Sequence, residues 1–447
     1  MKRALLLAVL MVAAAPGWSA AAERSAQPPP AQFESGYERP TVENPAPRQD
    51  AWEYVDAGVL VAALALATVL ALLFRRRAWI FLAMLAALLY FGFYRGGCVC
   101  PIGAIQNVAL ALAGGYAVPV FVLLFFFLPL VVALFFGRTF CGAVCPLGAI
   151  QDVVLLRPVR VPEWLEHALG LLVYVYLGAA VLFAATGAAF VICQYDPFVS
   201  IFRLVPLLHT ESLMDAVRGS MAMLIVGAGV LAVGLFVGRP YCRYLCPYGA
   251  ILRHFSRASR WHVTITPDEC VQCRLCEDAC PFGAIRRPSP SPPHPRTAGR
   301  GRLAATLALA PVLVGAGLWL GARAGPAMAR VHDTVRLADR VRLEQAGKVE
   351  GTTDASDAFY ATRRPLEDLY AESAGLVGDF RLGGALLGAW VGLVVGAKLI
   401  SLSVRRTRTD YEPDRATCLS CGRCFAYCPK EQSRRAGGEA TPEPEDA

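Results

Sequence analysis

Long apolar runs alternate along this chain with short breaks rich in arginine, and this pattern sets the architecture before any single residue is considered. The runs fall near residues 55–74, 78–95, 116–137, 168–190, 221–238, 302–323 and 383–403. Each approaches the ~20 helical residues that cross a hydrocarbon core of roughly 30 Å, so the pattern predicts about seven transmembrane helices. With the first run set outside-to-inside, Arg75, Arg76, Arg77, Arg138, Arg157, Arg160, Arg239, Arg243, Arg286, Arg287, Arg300, Arg302, Lys398, Arg405 and Arg406 all fall on one side. The excess of positive charge makes that side the cytoplasm, and the membrane a bacterial inner membrane.

The breaks divide the chain further. Met1-Lys2-Arg3, an apolar run and Ser19-Ala20-Ala21-Ala22 form a secretory signal peptide over residues 1–22, an uncleaved anchor being the alternative. Residues 23–54, rich in Pro, Gln and Glu, read as a disordered periplasmic lead, and residues 55–260 as a five-helix membrane domain. Two cysteine-rich polar segments, 261–288 and 404–432, flank a proline-stiffened linker at 289–301 and a transmembrane hairpin at 302–403. The hairpin carries an outer loop, 324–381, in which 331–345 and 365–374 have the spacing of short amphipathic helices, and a disordered tail follows at 433–447.

Composition agrees with a membrane protein: of 447 residues, 55% are hydrophobic and 17% charged, and the mean hydropathy is +0.45. The net charge of +8 belongs to arginines at span ends, which argues against a nucleic-acid surface. The acidic and imidazole groups near the two interfaces, Asp152, Glu166 and His167 inside and Asp196, His209, Glu211 and Asp215 outside, read as solvated loop charge, with proton uptake from a quinol as the alternative. No Cys-x-x-Cys-His occurs and the histidines lie in loops or near span ends, which points away from haem.

The cysteines carry the chemistry. Cys270-x2-Cys273-x2-Cys276-x3-Cys280-Pro281 and Cys418-x2-Cys421-x2-Cys424-x3-Cys428-Pro429 each have the bacterial ferredoxin spacing, in which three close thiolates hold one [4Fe-4S] cubane and the fourth reaches to the other. That rule predicts two [4Fe-4S] clusters with crossed ligands, Cys270, Cys273, Cys276 and Cys428 on one, and Cys418, Cys421, Cys424 and Cys280 on the second. Tetrahedral zinc sites usually use two Cys-x2-Cys pairs, without the third close thiol and the Cys-Pro. The expected fold is therefore an all-α polytopic membrane protein with a small α+β ferredoxin-like cytoplasmic domain, split by the transmembrane hairpin.

A repeat links the remaining thiols. Cys98-Val-Cys100-Pro-Ile-Gly-Ala-Ile-Gln, Cys141-Gly-Ala-Val-Cys145-Pro-Leu-Gly-Ala-Ile-Gln and Cys242-Arg-Tyr-Leu-Cys246-Pro-Tyr-Gly-Ala-Ile each place proline after the last cysteine. Proline there suits the first turn of a helix, whose N-terminus favours an anionic group. Cys141, Cys145, Cys242 and Cys246 are read as ligands of a further iron-sulfur cluster at the membrane face, against a thiol-disulfide relay or two structural pairs. Cys98, Cys100 and Cys193 fall on the outer side, where a soft-metal or redox thiol site and an inert packed cap both remain open.

Two Cys-x3-Cys-Pro motifs at span ends with paired ferredoxin motifs resemble the membrane-bound iron-sulfur proteins of the NosR and NapH type, over residues 55–430. The segment Gly-Cys-Val-Cys-Pro-Ile-Gly-Ala-Ile-Gln-Asn, 97–107, looks more like NosR. The resemblance implies relay of electrons between a cytoplasmic or quinol donor and a periplasmic respiratory reductase or its maturation system. A quinol dehydrogenase subunit and a copper-reducing assembly factor are the alternatives. The corresponding partners are a flavoprotein, a multihaem cytochrome or a copper chaperone. Only some thirty residues precede the first span where NosR-type proteins carry a flavin-binding domain, and no Ser/Thr-Gly-Ala-Thr motif occurs, so no covalent flavin is expected on this chain.

Overall fold

The computed structural model describes residues 50–97, 101–114, 118–198, 200–202, 213–265, 270–289, 300–404 and 408–436. All seven apolar runs are helical there. Trp52–Phe74, Arg77–Tyr94, Glu163–Ala185, Arg300–Ala329 and Leu366–Ser403 are each long and apolar enough to cross a membrane, and Val120–Phe136 and Met221–Gly234 are shorter apolar helices. A further helix, Pro101–Gly114, lies between the second and third runs and packs on Glu163–Ala185 and Val120–Phe136. The helical ladder widens into π turns at Leu70–Phe74, Leu88–Tyr94 and Phe140–Val144, the last of them inside a Cys-x3-Cys-Pro motif.

The repeated Cys-Pro turns form one local structure. Cys145 and Cys246 hold extended backbone angles (ψ 117° and 107°), and the helices Pro146–Val153 and Pro247–Arg257 begin at the following proline. Proline loses nothing at this position, since the N–H it lacks would have had no helical partner. Each thiol therefore stands at a helix N-terminus, and Cys246 Sγ accepts the Gly249 N–H at 3.3 Å.

The hairpin Arg300–Ala329 and Leu366–Ser403 closes along two glycine rows. A β-carbon on Gly317 would fall on the Gly388 carbonyl, one on Gly321 on the Gly384 carbonyl, and one on Gly392 on the Leu313 carbonyl. Glycine at every fourth position lets the two backbones touch, which is how helices associate where lipid removes the hydrophobic drive between them. The hairpin docks on Glu163–Ala185, with Trp390 Nε1 donating to the Tyr174 carbonyl at 3.0 Å. In the loop of the hairpin, helices Asp333–Gln345 and Asp354–Ala361 bury Ala338, Val341 and Phe359 against Leu369. The short helix expected at 365–374 has no end of its own, because the helix that starts after Pro365 runs unbroken through the last span to Ser403.

The two cysteine-rich segments, separated by the hairpin, come together as one unit. Strand Ile285–Arg286 pairs antiparallel with Glu412–Pro413, Ile285 opposite Pro413 and Arg286 opposite Glu412. Short helices Leu275–Asp278 and Arg423–Ala426 pack beside one another. The backbones match: the second residue after the first cysteine and the fourth are left-handed in both halves, Gln272 (φ 53°) and Arg274 (φ 67°) in one, Ser420 (φ 54°) and Gly422 (φ 77°) in the other.

Candidate functional site

The ferredoxin-type thiols sort into two sets that each draw on both halves. Cys270, Cys273, Cys276 and Cys428 line one pocket with Ile265 and Tyr411. Cys280 lies within electrostatic reach of Cys418, Cys421 and Cys424, and packs with Cys418 and Cys421 around Phe282, Ala284 and Leu419. Burial pushes the Cys276 thiol up to about 11 and the Cys418 thiol up to about 12, and neighbouring thiols add to both. Left alone, such groups stay protonated at neutral pH; a positively charged metal core is what turns buried thiols into thiolates. Among the described residues no three Cys, His, Asp or Glu side chains are grouped tightly enough for a single metal ion. Thiols ringed around a pocket suit a ligand with a body of its own, such as an iron-sulfur cubane.

Cys141, Cys145, Cys242 and Cys246 line a second cavity, with Phe140, Leu147, Tyr248 and Leu252. Two arginines cross over between the repeats that supply them. Arg239, which opens the second repeat, reaches the first: its guanidinium donates to the Cys141 carbonyl and, at 3.5 Å, to that of Gly142. A β-carbon on Gly148 would sit 2.8 Å from Arg239 Nη1. Arg138, from the first repeat, donates to Cys141 Sγ at 3.6 Å and lies so close to the second that a β-carbon on Gly249 would sit 3.3 Å from its Nη2. The glycine of each Cys-Pro-x-Gly turn is thus the space the other repeat's arginine occupies. Gln151 fastens the pair, donating to Cys242 Sγ at 3.3 Å and accepting the Tyr241 N–H at 3.0 Å.

The cysteine-rich unit sits directly on this cavity. A β-carbon on Gly142 would fall on the Leu419 carbonyl, and one on Gly238 would lie 2.8 Å from the Pro281 carbonyl. Cys141 itself packs with Cys280 and Cys418 around the cluster of Phe282, Ala284, Leu419 and Cys421. Arginines supply the polar part of the seam. Arg77 donates to the Cys421 carbonyl at 2.8 Å and to Asp152 at 2.8 Å, Arg75 pairs with buried Glu431 at 2.8 Å, and Arg138 donates to the Ala416 carbonyl at 3.3 Å. The Arg239 guanidinium also lies 5.4 Å from the Phe282 ring.

Two readings of loop charge are corrected here. Asp152 is buried, not solvated, within reach of Arg77, Arg423 and Arg239. Burial works to raise its carboxyl, but Arg239, Arg423 and Arg77 together bring it below the usual carboxylate range. Asp196 is also buried, because its backbone turn folds into the protein and its Oδ1 accepts the Phe198 N–H at 2.9 Å. Glu166 pairs with Arg243 at 2.8 Å. Cys98, Cys100, His209 and Glu211 lie outside the described residues, as does the side chain of Asp215. Cys193 is exposed.

Span-end arginines signal orientation in a sequence, and their second role as seam and cavity walls was not read from it. The signal was present in the parallel Gly137-Arg138 and Gly238-Arg239 pairs and in the shared Cys-Pro-x-Gly.

Comparison with known proteins agrees with this chemistry. The chain matches a 4Fe-4S binding domain family over residues 118–165 and 220–266, the two Cys-x3-Cys-Pro segments, and another 4Fe-4S binding domain family over 263–286. It is 31% identical to NirI of Paracoccus denitrificans over 133 residues, 29% of this chain and 18% of NirI. It is 27% identical over 124 residues to YccM of Escherichia coli, named for a proposed role in electron transport, covering 27% of this chain and 33% of YccM. An uncharacterized protein of Methanocaldococcus jannaschii is 40% identical over 52 residues, 12% of this chain and 21% of that one. The matches thus span a third or less of these relatives' own lengths. No solved structure matches. The chain carries 4Fe-4S binding domains and is homologous to NirI and YccM.

Proposed function

We propose that this protein relays single electrons through three iron-sulfur clusters, two in the cytoplasmic unit and one at the membrane face, toward a periplasmic respiratory partner or its maturation system. The observation that carries the reading is the seam at Gly142 and Leu419, which sets Cys141 against Cys418, Cys421 and Cys280 with no side chain between the two backbones. A ferredoxin-like unit needs no such contact to hold its clusters; a relay does.

The ligand set fits the crossed rule, Cys270, Cys273, Cys276 and Cys428 on one cluster and Cys418, Cys421, Cys424 and Cys280 on the other. Cys141, Cys145, Cys242 and Cys246 hold the third. Such clusters supply one-electron oxidation and reduction at little structural change. The chain's own residues do the rest. Arg138 and Arg239 place positive charge beside the third set of thiols, Gln151 orients Cys242, and Phe140, Leu147 and Leu252 line that site with apolar side chains. Phe282 and Leu419 pack against Cys280, Cys418 and Cys421 of the second set and against Cys141 of the third, so the two sets meet across apolar side chains. The candidate spans and the arginines clustered at one set of their ends support placement in a bacterial inner membrane with the ferredoxin motifs inside.

The test is anaerobic purification of the intact protein, with iron and sulfide analysis and EPR. The quadruple variant Cys141→Ser, Cys145→Ser, Cys242→Ser, Cys246→Ser keeps both ferredoxin clusters, loses iron and stops transfer to the periplasmic side. Unchanged iron content with full transfer would show these thiols to be structural.

A further inference from the structure

Arg138 is a buried cation without a carboxylate. It is 3% exposed and lines the cavity of the membrane-face thiols. Its hydrogen bonds go to the Ala416 carbonyl at 3.3 Å and to Cys141 Sγ at 3.6 Å, its Nε is buried with no protein partner, and among the described residues no Asp or Glu forms an ion pair with it. The buried carboxylates of this region are engaged by other groups: Asp152 faces Arg77, Arg239 and Arg423, and Asp196, on the same cavity, accepts the Phe198 N–H at 2.9 Å. Arg253 lies within electrostatic reach of Arg138 and adds charge of the same sign. A buried charge needs an opposite charge beside it, and the four thiols of this cavity supply one when they stand as thiolates around a metal core.

The neighbouring set of thiols, on Cys280, Cys418, Cys421 and Cys424, is treated differently. Backbone donors are alike in the two: Cys280 Sγ accepts the Ala284 N–H at 3.4 Å, as Cys246 Sγ accepts the Gly249 N–H at 3.3 Å. Side-chain donors are not. Arg138 Nη2 donates to Cys141 Sγ and Gln151 Nε2 to Cys242 Sγ at 3.3 Å, whereas among the described residues no side chain donates to a thiol of the neighbouring set. Arg138 and Arg239 come within electrostatic reach of Cys418 and Cys421 respectively, but make no hydrogen bond to either thiol.

We propose that Arg138, with Gln151 as a second donor, raises the reduction potential of the membrane-face cluster above that of the cluster on Cys280, Cys418, Cys421 and Cys424, and so directs electrons from the ferredoxin unit into the membrane domain. Reduction adds one negative charge to a cluster already ringed by four thiolates. A guanidinium and an amide aimed at its sulfurs stabilise that added charge, and net charge and hydrogen bonds to sulfur are what set the potential of such clusters. In the step itself one electron leaves the ferredoxin-type cluster, which is oxidised, and enters the membrane-face cluster, which is reduced; no bond is broken and no proton is transferred. Arg138 acts through the Cys141 thiolate and is not a ligand. The inference rests on the relay reading and gives it a direction.

Redox titration of the full-length protein, purified anaerobically in detergent and followed by low-temperature EPR, tests it. Cys242→Ser identifies the membrane-face signal by removing it, and Cys424→Ser that of the neighbouring cluster. In the unaltered protein the membrane-face midpoint lies above its neighbour's; equal midpoints or the reverse order overturn the proposal. Arg138→Gln keeps a donor and removes the charge, and the equilibrium share of electrons on the membrane-face cluster relative to its neighbour falls about tenfold, or about 59 mV for a one-electron step. Arg138→Lys recovers most of that shift. A purely structural arginine would alter stability and leave the midpoint where it was, so an unmoved midpoint in Arg138→Gln with iron retained overturns the assignment. Should Arg138→Gln lose the cluster, Gln151→Leu decides, since it removes a donor with both arginines in place: the same midpoint falls, or the proposal fails. Iron for two clusters only, unchanged in Cys242→Ser, removes the relay reading and this inference together, whereas three clusters with the wrong order of midpoints remove this inference alone.

Discussion

The Arg239 guanidinium lies 3.6 Å from the Asp152 carboxylate, and both side chains are completely buried. Arg239 also touches the carbonyl of Cys141, while Asp152 binds Arg77, which holds the Cys421 carbonyl. One ion pair thus connects the membrane-face thiols to the cysteine-rich unit.

Asp152→Asn leaves Arg239 buried with reduced compensation, and breaking a buried pair in this way costs about 3–5 kcal/mol. Thermal unfolding followed by cluster absorbance should show a lower midpoint, and limited proteolysis should release the cysteine-rich unit sooner. Because the Asp152 carboxyl is lowered in the folded state, its contribution is fully present above the unfolded value of about 3.9 and is lost as pH falls toward the lowered one. The unaltered protein should therefore lose an acid-sensitive part of its stability below pH ~4 that Asp152→Asn never had; identical acid titrations of the two would refute the linkage.

Gly142→Val places a side chain on the Leu419 carbonyl, and neither backbone can step aside easily. Overpacking of this kind costs about 1–3 kcal/mol. Cluster content should survive, while stopped-flow reduction of the membrane-face site from the ferredoxin side slows. A rate equal to that of the unaltered protein would mean the seam is not on the electron path.

Cys428→Ala distinguishes crossed from local ligation. Under the proposed set it damages the cluster built on Cys270, Cys273 and Cys276, and EPR should show that signal altered with the other intact. Damage confined to the site of Cys418, Cys421 and Cys424 would reverse the assignment.

Alkaline phosphatase fused near Ala355 should be active and the same reporter fused after Arg435 silent, since the arginine distribution puts the hairpin loop outside and the second cysteine-rich segment inside. The opposite pattern would overturn the inside placement of every ferredoxin thiol.

Helices and thiol motifs were legible because they are local: an apolar run or a Cys-x2-Cys spacing is complete within a few turns. The arginine crossover was not, since hydropathy cannot tell whether a span-end guanidinium meets water or folds back onto a distant carbonyl, as Arg239 does on Cys141. Asp152 was misread for the same reason, its partners lying 75, 87 and 271 residues away in sequence, at Arg77, Arg239 and Arg423. The glycine rows of the hairpin, Gly317, Gly321 and Gly325 against Gly384, Gly388 and Gly392, stand in the sequence at a four-residue period but were not read from it, because hydropathy does not separate a glycine that faces another backbone from one that faces lipid. The merged helix Leu366–Ser403 shows the converse error, a change from polar to apolar residues taken for a boundary where no proline interrupts the backbone.

The hairpin also imposes a timetable. Strand Ile285–Arg286 waits for Glu412–Pro413, and between them come the two long apolar helices of the hairpin and the loop that joins them. While the ribosome is still making the last span, the first cysteine-rich segment already hangs at the membrane with half of its sheet and none of the Cys428 wall of its pocket. A pocket walled by Cys270, Cys273, Cys276 and Cys428 is therefore complete only once the whole hairpin and the second cysteine-rich segment have been made.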